Sequence, residues 1–390
     1  MVDSAVMDRC NFDWASGWPL RPAAEQALSD ARAVAAGDAA RAYTEARAAR
    51  DLLASSTDSV ARRLAAHQVT WTSGGTEAIH LAVLGTVRAA VLRGDARRGL
   101  VVSAVEHSAV LRAAELAAEL FDARLTVVDV DTAGAVDPDA VASVVDEATL
   151  LVNVQHANHE VGTIQDTHAI SASCRDVGAL LHVDACQTVG QLGVTLPQLG
   201  ADLVSASAGK FGGPTGVGFL AAGERSRLAP LLTGDDRQGS RRAGRLDVPA
   251  LAATAVALEI AADTMETDHS RRENARRRLR ELLPQRIEDV QVHGRLADSH
   301  PGIVSFSCLY VHGSALVDEL DQAGFAVHSG SSCARDSNVP SHVLEAMQAL
   351  THGHVRASFG PSVAVADVDR FVDVLAEVVP RLRATTRRSP

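Results

Sequence analysis

Between His67 and Ala222 the chain enters seven short apolar runs: HQVTWTS, GLVVSAV, RLTVVDV, TLLVNVQ, ALLHVDA, ADLVSAS and GVGFLAA. They are rich in valine and leucine, with threonine and aromatic residues among them, which is strand composition. The stretches EAIHLAVLGTVRAAVL and SAVLRAAELAAEL, which lie between such runs, carry the alanine and leucine content of helices. Strands alternating with helices predict an α/β fold around a large, mainly parallel, seven-stranded sheet. After a basic helical stretch the order changes to GIVSFSCLYV, a helix over SALVDELDQAG, FAVHSGSSC, a helix over SHVLEAMQAL, HVRASFG and a terminal helix from Asp367. That is the order of a smaller α+β domain. The division predicted is a large domain over 16–258 and a small one formed by 1–15 together with 259–390, a size suited to 390 residues.

Composition narrows the classes. Hydrophobic residues make up 46% and charged residues 22% of the chain, an ordinary globular balance. No unbroken apolar run reaches the roughly 18 residues of a membrane span, and MVDSAVMDRCNFDW lacks a basic start and apolar core, so no membrane association and a cytoplasmic location are expected. Five cysteines without CxxC spacing predict free thiols in place of a disulfide or zinc framework. A net charge of −11 argues against a general nucleic-acid surface. The basic run HSRRENARRRLREL reads as a helix with one solvated face and a Glu273–Arg277 pair at i,i+4.

Of 37 lysines and arginines only Lys210, in SASAGKFGGPTGVG, is a lysine. A guanidinium stays protonated, whereas an amine can lose its proton and attack a carbonyl, so Lys210 is a candidate nucleophile. TSGGTEAIHLAV sets Gly75 and Thr76 between strand and helix, where exposed N–H groups cradle phosphate; the same residues also suit an ordinary helix start. Asp184 in HVDACQ falls at the C-terminal end of a strand, the edge where open α/β sheets bind ligands. A phosphate cradle, a nucleophilic lysine and a carboxylate together suggest pyridoxal 5′-phosphate.

In this order the motifs resemble the cysteine desulfurases typified by NifS and IscS, fold-type I pyridoxal-phosphate enzymes of the class V aminotransferase family. NFDWASGWPLRP is similar to the family's opening strand and turn, SGGTEA to its phosphate loop, EHSAV to its ring-stacking histidine and HANHEVG to its NNE(I/V)G motif. HVDACQ resembles the pyridine-binding strand, SASAGKFGGPTGVG the Schiff-base lysine stretch, SRRAGRLDV the RSGT segment, HSGSSC the loop of the catalytic cysteine and VRASFG the IRFSLG strand. The resemblance implies a catalytic set of Lys210, Cys333 and His107. It implies cofactor contacts from Asp184 to the pyridine nitrogen, from Gln187 to the phenolic oxygen, and from Gly75, Thr76 and Ser207 to the phosphate. Arg356, helped by Asn158, would bind the carboxylate of L-cysteine, and Cys333 would receive the sulfur and deliver it to an acceptor protein. Cys308 and Cys186 read as buried core thiols.

Three residues depart from the family pattern. Gly209 precedes the lysine where histidine is usual, Arg245 stands where a threonine reaches the phosphate of a partner subunit, and His159 replaces the second asparagine of NNE. Arg245 is expected to restore that contact across a homodimer. His156, His159 and Glu160 do not have the spacing of a metal site, so no metal is expected. The Ala/Arg-rich character with AGKFGGP, HSGSSCARDSN and VRASFGPS resembles the desulfurase of Dnd systems, which implies sulfur supply for DNA phosphorothioation through a protein partner. Iron–sulfur assembly, tRNA thiolation, a selenocysteine lyase or aminotransferase activity and a catalytically silent scaffold stay open at this point.

Overall fold

The computed structural model describes residues 9–329 and 340–386; Cys333 lies outside the described residues. The strands are β1 (Cys10–Asn11), β2 (Gln68–Thr72), β3 (Gly99–Ser103), β4 (Arg124–Val128), β5 (Thr149–Asn153), β6 (Leu180–Asp184), β7 (Leu203–Ser207), β8 (Gly218–Ala222), β9 (Val290–Val292), β10 (Ile303–Cys308), β11 (Phe325–Ala326) and β12 (His354–Ser358). Strands β2 to β8 form one seven-stranded sheet in the order β2-β8-β7-β6-β5-β3-β4. Every pairing in it is parallel except those of β8, which runs antiparallel to β2 and β7. All seven apolar runs therefore become strands of one sheet. Strands β3, β5 and β8 are buried at every position, as a sheet with covered faces requires.

The smaller sheet, β12-β10-β9, is antiparallel, and β1 pairs with β11. Sequence reading did not find β9, whose three residues are too few to show a period. The helix expected over SHVLEAMQAL is the short His342–Ala346, and the terminal helix starts at Val365. Around the small sheet Phe12 packs against Phe325, Phe359 and Phe371 at centroid distances of 5.6, 5.0 and 5.4 Å, so the N-terminal segment is part of this second core.

A 39-residue helix, Val248–Arg286, takes part in both cores: Ala250 to Ala261 pack with the large sheet and Ala275 to Leu283 with the small one. Its basic stretch is less solvated than its composition suggests. Arg272 is 1% exposed, donating to Gln191 Oε1 at 2.6 Å and to the Asp268 carbonyl at 3.1 Å. Glu273 pairs with the buried Arg276 at 2.7 Å, one residue short of the expected Arg277, because that arginine lies toward the interior. This helix and Gly75–Leu92 each contain an 18-residue window long and apolar enough to cross a membrane, although no run is unbroken. More than half of each window is buried inside the fold, where a covered sheet needs apolar helices.

Gly218 on β8 fixes how closely the loop after β2 passes the sheet. A Cβ there would lie 2.4 Å from the Gly74 carbonyl carbon, and Gly74 itself has φ 154° and ψ 179°, a backbone open to glycine alone. Gly218→Ala is expected to cost about 1–3 kcal/mol and to weaken cofactor retention, since the displaced backbone leads into Gly75 and Thr76. Thermal unfolding with and without added cofactor measures both effects.

Candidate active site

The C-terminal ends of the parallel strands, where β3, β6 and β7 stop, carry the predicted residues. Asp184 ends β6, Ser207 ends β7 and Lys210 closes the 3-10 turn Ala208–Lys210 that follows. His107 lies just past β3 and caps the helix Ser108–Phe121, and Gly75 and Thr76 open the helix Gly75–Leu92. Together with Ala15, Ser16, Gln187 and Arg356 they line a cavity of about 300 Å³. Its size and its place at the sheet's carboxyl edge are those of a small-molecule site.

The Lys210 amine donates to the carbonyls of Ala15 at 2.5 Å and Ser16 at 3.0 Å. Burial, with help from the Arg356 cation, holds its pKa below that of an ordinary lysine, which favours the neutral, nucleophilic amine. Asp184 accepts from the Cys186 N–H at 3.0 Å and the Ser205 hydroxyl at 3.1 Å, both on Oδ1. Behind Ser205 a buried chain continues: His182 Nε2 lies 3.2 Å from Ser205 Oγ and His182 Nδ1 lies 3.0 Å from Asn153 Oδ1. Burial takes His182 down to about 4, so it supports the aspartate as a neutral ring.

His107 accepts the Ala109 N–H on Nδ1 at 3.1 Å, which leaves Nε2 to carry the proton of the neutral ring. Burial lowers its pKa. Gln187 Nε2 donates to the Ala15 carbonyl at 3.0 Å, and its Oε1 is buried with no partner among the described residues. Arg356, on β12, donates to the His159 carbonyl at 2.9 Å, to Asp13 Oδ1 at 2.7 Å and to Ser16 Oγ at 2.8 Å; its Nε is buried and unpaired among the described residues.

Two predicted residues stand elsewhere. Asn158 is fully buried behind the cavity wall, accepting from the N–H groups of Glu160 and Val161 and donating to the Val105 carbonyl at 3.1 Å. Its carboxamide shapes the turn that carries His159. Arg245 lines a separate cavity of about 550 Å³ with Trp71, Gln238 and Arg241. Cys186 also departs from its reading as a core thiol: it lines the main cavity, although burial beside Asp184 raises its pKa far above the usual thiol value. Sequence reading gave no individual role to Ala15 and Ser16, which act through backbone carbonyls that no motif displays, nor to His159.

The family scan matches residues 25–371 to "Aminotransferase class-V". A cysteine desulfurase IscS of Dictyoglomus turgidum is 32% identical over 377 residues, covering 95% of this chain and 95% of that protein. The chain belongs to the class V aminotransferases, in their cysteine desulfurase branch. Among solved structures a NifS-like protein is 27% identical, with a TM-score of 0.87, over 96% of this chain and 100% of that one. DndA from Streptomyces lividans is 26% identical with a TM-score of 0.75, over 87% of this chain and 97% of that one. This desulfurase family is pyridoxal-phosphate-dependent.

The donor set fits that cofactor. The start of the helix Gly75–Leu92 with Thr76 and Ser207 suits a phosphate, Asp184 a protonated pyridine nitrogen, the orphaned Gln187 Oε1 a ring substituent and Lys210 an aldehyde. Gly75 leaves room as well, since a Cβ there would meet Cys186 Sγ at 2.7 Å.

Two buried carboxyls stand behind the histidines of this desulfurase. Glu106 accepts from the Ser103 hydroxyl and the Gln155 N–H, and burial pushes it up to about 8; Glu160 is pushed up to about 7. A carboxyl raised in the folded state stabilises the protein fully below its unfolded value near 4.5, and that stabilisation is lost as pH rises through the folded value. Stability is therefore expected to fall between pH 7 and pH 8, above the range in which the buried histidines titrate. Glu106→Gln should flatten that fall by about 1 kcal/mol, read from urea unfolding at the two pH values.

Proposed function

We propose that this desulfurase takes L-cysteine, releases L-alanine and passes the sulfur through Cys333 to an acceptor protein. The observation that carries the reading is one cavity in which Lys210, its pKa lowered by burial, the Asp184 carboxyl, His107 and Arg356 converge. Bound pyridoxal phosphate supplies the electron sink that weakens the Cβ–S bond of the substrate. Gly75, Thr76, Ser207, Asp184 and Gln187 hold it. Arg356 binds the substrate carboxylate through its unpaired Nε, with its guanidinium fixed by Asp13, Ser16 and the His159 carbonyl. Lys210, whose buried amine is biased toward its uncharged form, accepts and returns a proton at Nζ, and His107 donates its Nε2 proton and takes it back. Asn158 acts indirectly, by holding the turn that shapes the wall.

The assembly proposed is a cytoplasmic homodimer in which Arg245 reaches the phosphate of the partner subunit, as the position of the family's threonine suggests. The recipient proposed is a protein of a DNA phosphorothioation system, a reading supported by the likeness to DndA. The net charge of −11 favours a protein intermediary over direct DNA contact. Recovery of an iron–sulfur scaffold, with no DNA-modification protein, on affinity purification from the native host would overturn that recipient.

The reaction itself is tested by intact mass after incubation with pyridoxal phosphate and L-cysteine without reductant. The native protein should gain one sulfur and Cys333→Ser none. Equal gain in both, or gain in neither, contradicts Cys333 as the sulfur carrier.

A further inference from the structure

His159 occupies the cavity wall at the position where the family motif has its second asparagine, and it is 8% exposed. Neither ring nitrogen has a hydrogen-bond partner among the described residues, and both are buried. Two unpaired buried polar atoms are costly to keep, so a ring in that state on a binding-site wall is suited to a partner that arrives with the ligand.

The groups packed around the ring decide what it can offer. Nε2 lies 3.6 Å from Glu160 Oε1, and Glu160 is itself fixed by the Ser341 hydroxyl, which donates to Oε2 at 2.5 Å. His107 stands edge-on with ring centroids 5.2 Å apart, and Arg356 donates to the His159 carbonyl. Lys210 and His342 complete the charged and titratable neighbours. Arg356 and Lys210 are donors, and Nδ1 of His107 is taken by the Ala109 N–H, while the Glu160 carboxyl, 3.6 Å from Nε2, is the acceptor on that side of the ring. A neutral ring has one N–H and one lone pair. With Nε2–H turned toward Glu160, Nδ1 keeps its lone pair. Burial and the surrounding cations hold the ring neutral, which preserves that lone pair across the working pH range.

L-Cysteine presents three polar groups. Its carboxylate has no proton to give and belongs with Arg356. Its amino group has to reach the end of the cavity where Lys210 lies. The thiol is what remains, and S–H is a donor.

We propose that His159 is a specificity-determining residue of the desulfurase, whose Nδ1 accepts a hydrogen bond from the thiol of bound L-cysteine. The contact orients sulfur on the Arg356 side of the cavity and distinguishes cysteine from amino acids of similar size without a donor at that position. It rests on the desulfurase reading above, and no proton transfer or redox partner is required.

The test uses the full-length protein loaded with pyridoxal phosphate and carrying Cys333→Ser, so that binding is read from the cofactor's absorption without turnover. L-Cysteine and L-alanine are titrated in turn. His159→Phe, which keeps a planar ring and removes both nitrogens, should weaken L-cysteine about 3- to 10-fold and leave L-alanine unchanged. His159→Asn, whose carboxamide oxygen is also an acceptor, should recover part of the preference. If the phenylalanine variant does not load the cofactor, His159→Leu is read in the same way. Equal weakening of both ligands, or unchanged L-cysteine affinity, overturns the proposal. Absence of any spectral response to L-cysteine in the Cys333→Ser protein with His159 intact would instead count against the desulfurase reading itself.

Discussion

Everything at the site depends on burying one amine where its charged form is disfavoured. Lys210 is enclosed where the sheet ends, between Arg356 and the carbonyls of Ala15 and Ser16. Burial disfavours the ammonium, while the carbonyls hold Nζ in place as a donor. Arginine could not serve here, because its guanidinium does not give up its proton. The N-terminal segment thus does more than pack Phe12 into the small core. Its backbone positions Lys210 and Gln187, and its Asp13 and Ser16 side chains fix Arg356.

The same economy extends behind the first layer. Asp184 is held by Ser205, which is backed by His182 and Asn153, so its orientation is set by strands β5, β6 and β7 together. Glu106 and Glu160 are buried next to His107 and His159 in the chain, and burial favours their neutral forms. Their neighbours from the C-terminal part, His342 on the Glu106 carbonyl and Ser341 on the Glu160 carboxyl, tie the segment that follows 339 to the same two histidines. A rigid sheet edge therefore carries several polar groups whose partners are incomplete until a ligand arrives.

The large sheet was legible because strands buried on both faces read as short, nearly continuous apolar runs, and all seven appeared as such. Lys210, Asp184, Gly75 and Thr76 were legible from their residue types at strand ends and helix starts, and His107, Gln187, Ser207 and Arg356 only through the resemblance to the desulfurases; all eight line one cavity. β9 was not, being three residues long, and the buried Arg272 and Arg276 were misread because a basic helix gives no sign in composition of which arginines turn inward. Asn158 matched a motif yet spends its hydrogen bonds on a turn. The carbonyls of Ala15 and Ser16 had no signal at all, since a backbone oxygen looks the same in every residue.

The central claim is that Lys210 is where the cofactor is joined to the chain. Borohydride reduction of the holoenzyme followed by peptide mass analysis tests it directly, because the chain has no other lysine. One reduced cofactor on the Lys210 peptide is the result this account predicts. A protein that binds the cofactor yet leaves Lys210 unmodified, or carries the adduct on its terminal amine, would contradict it.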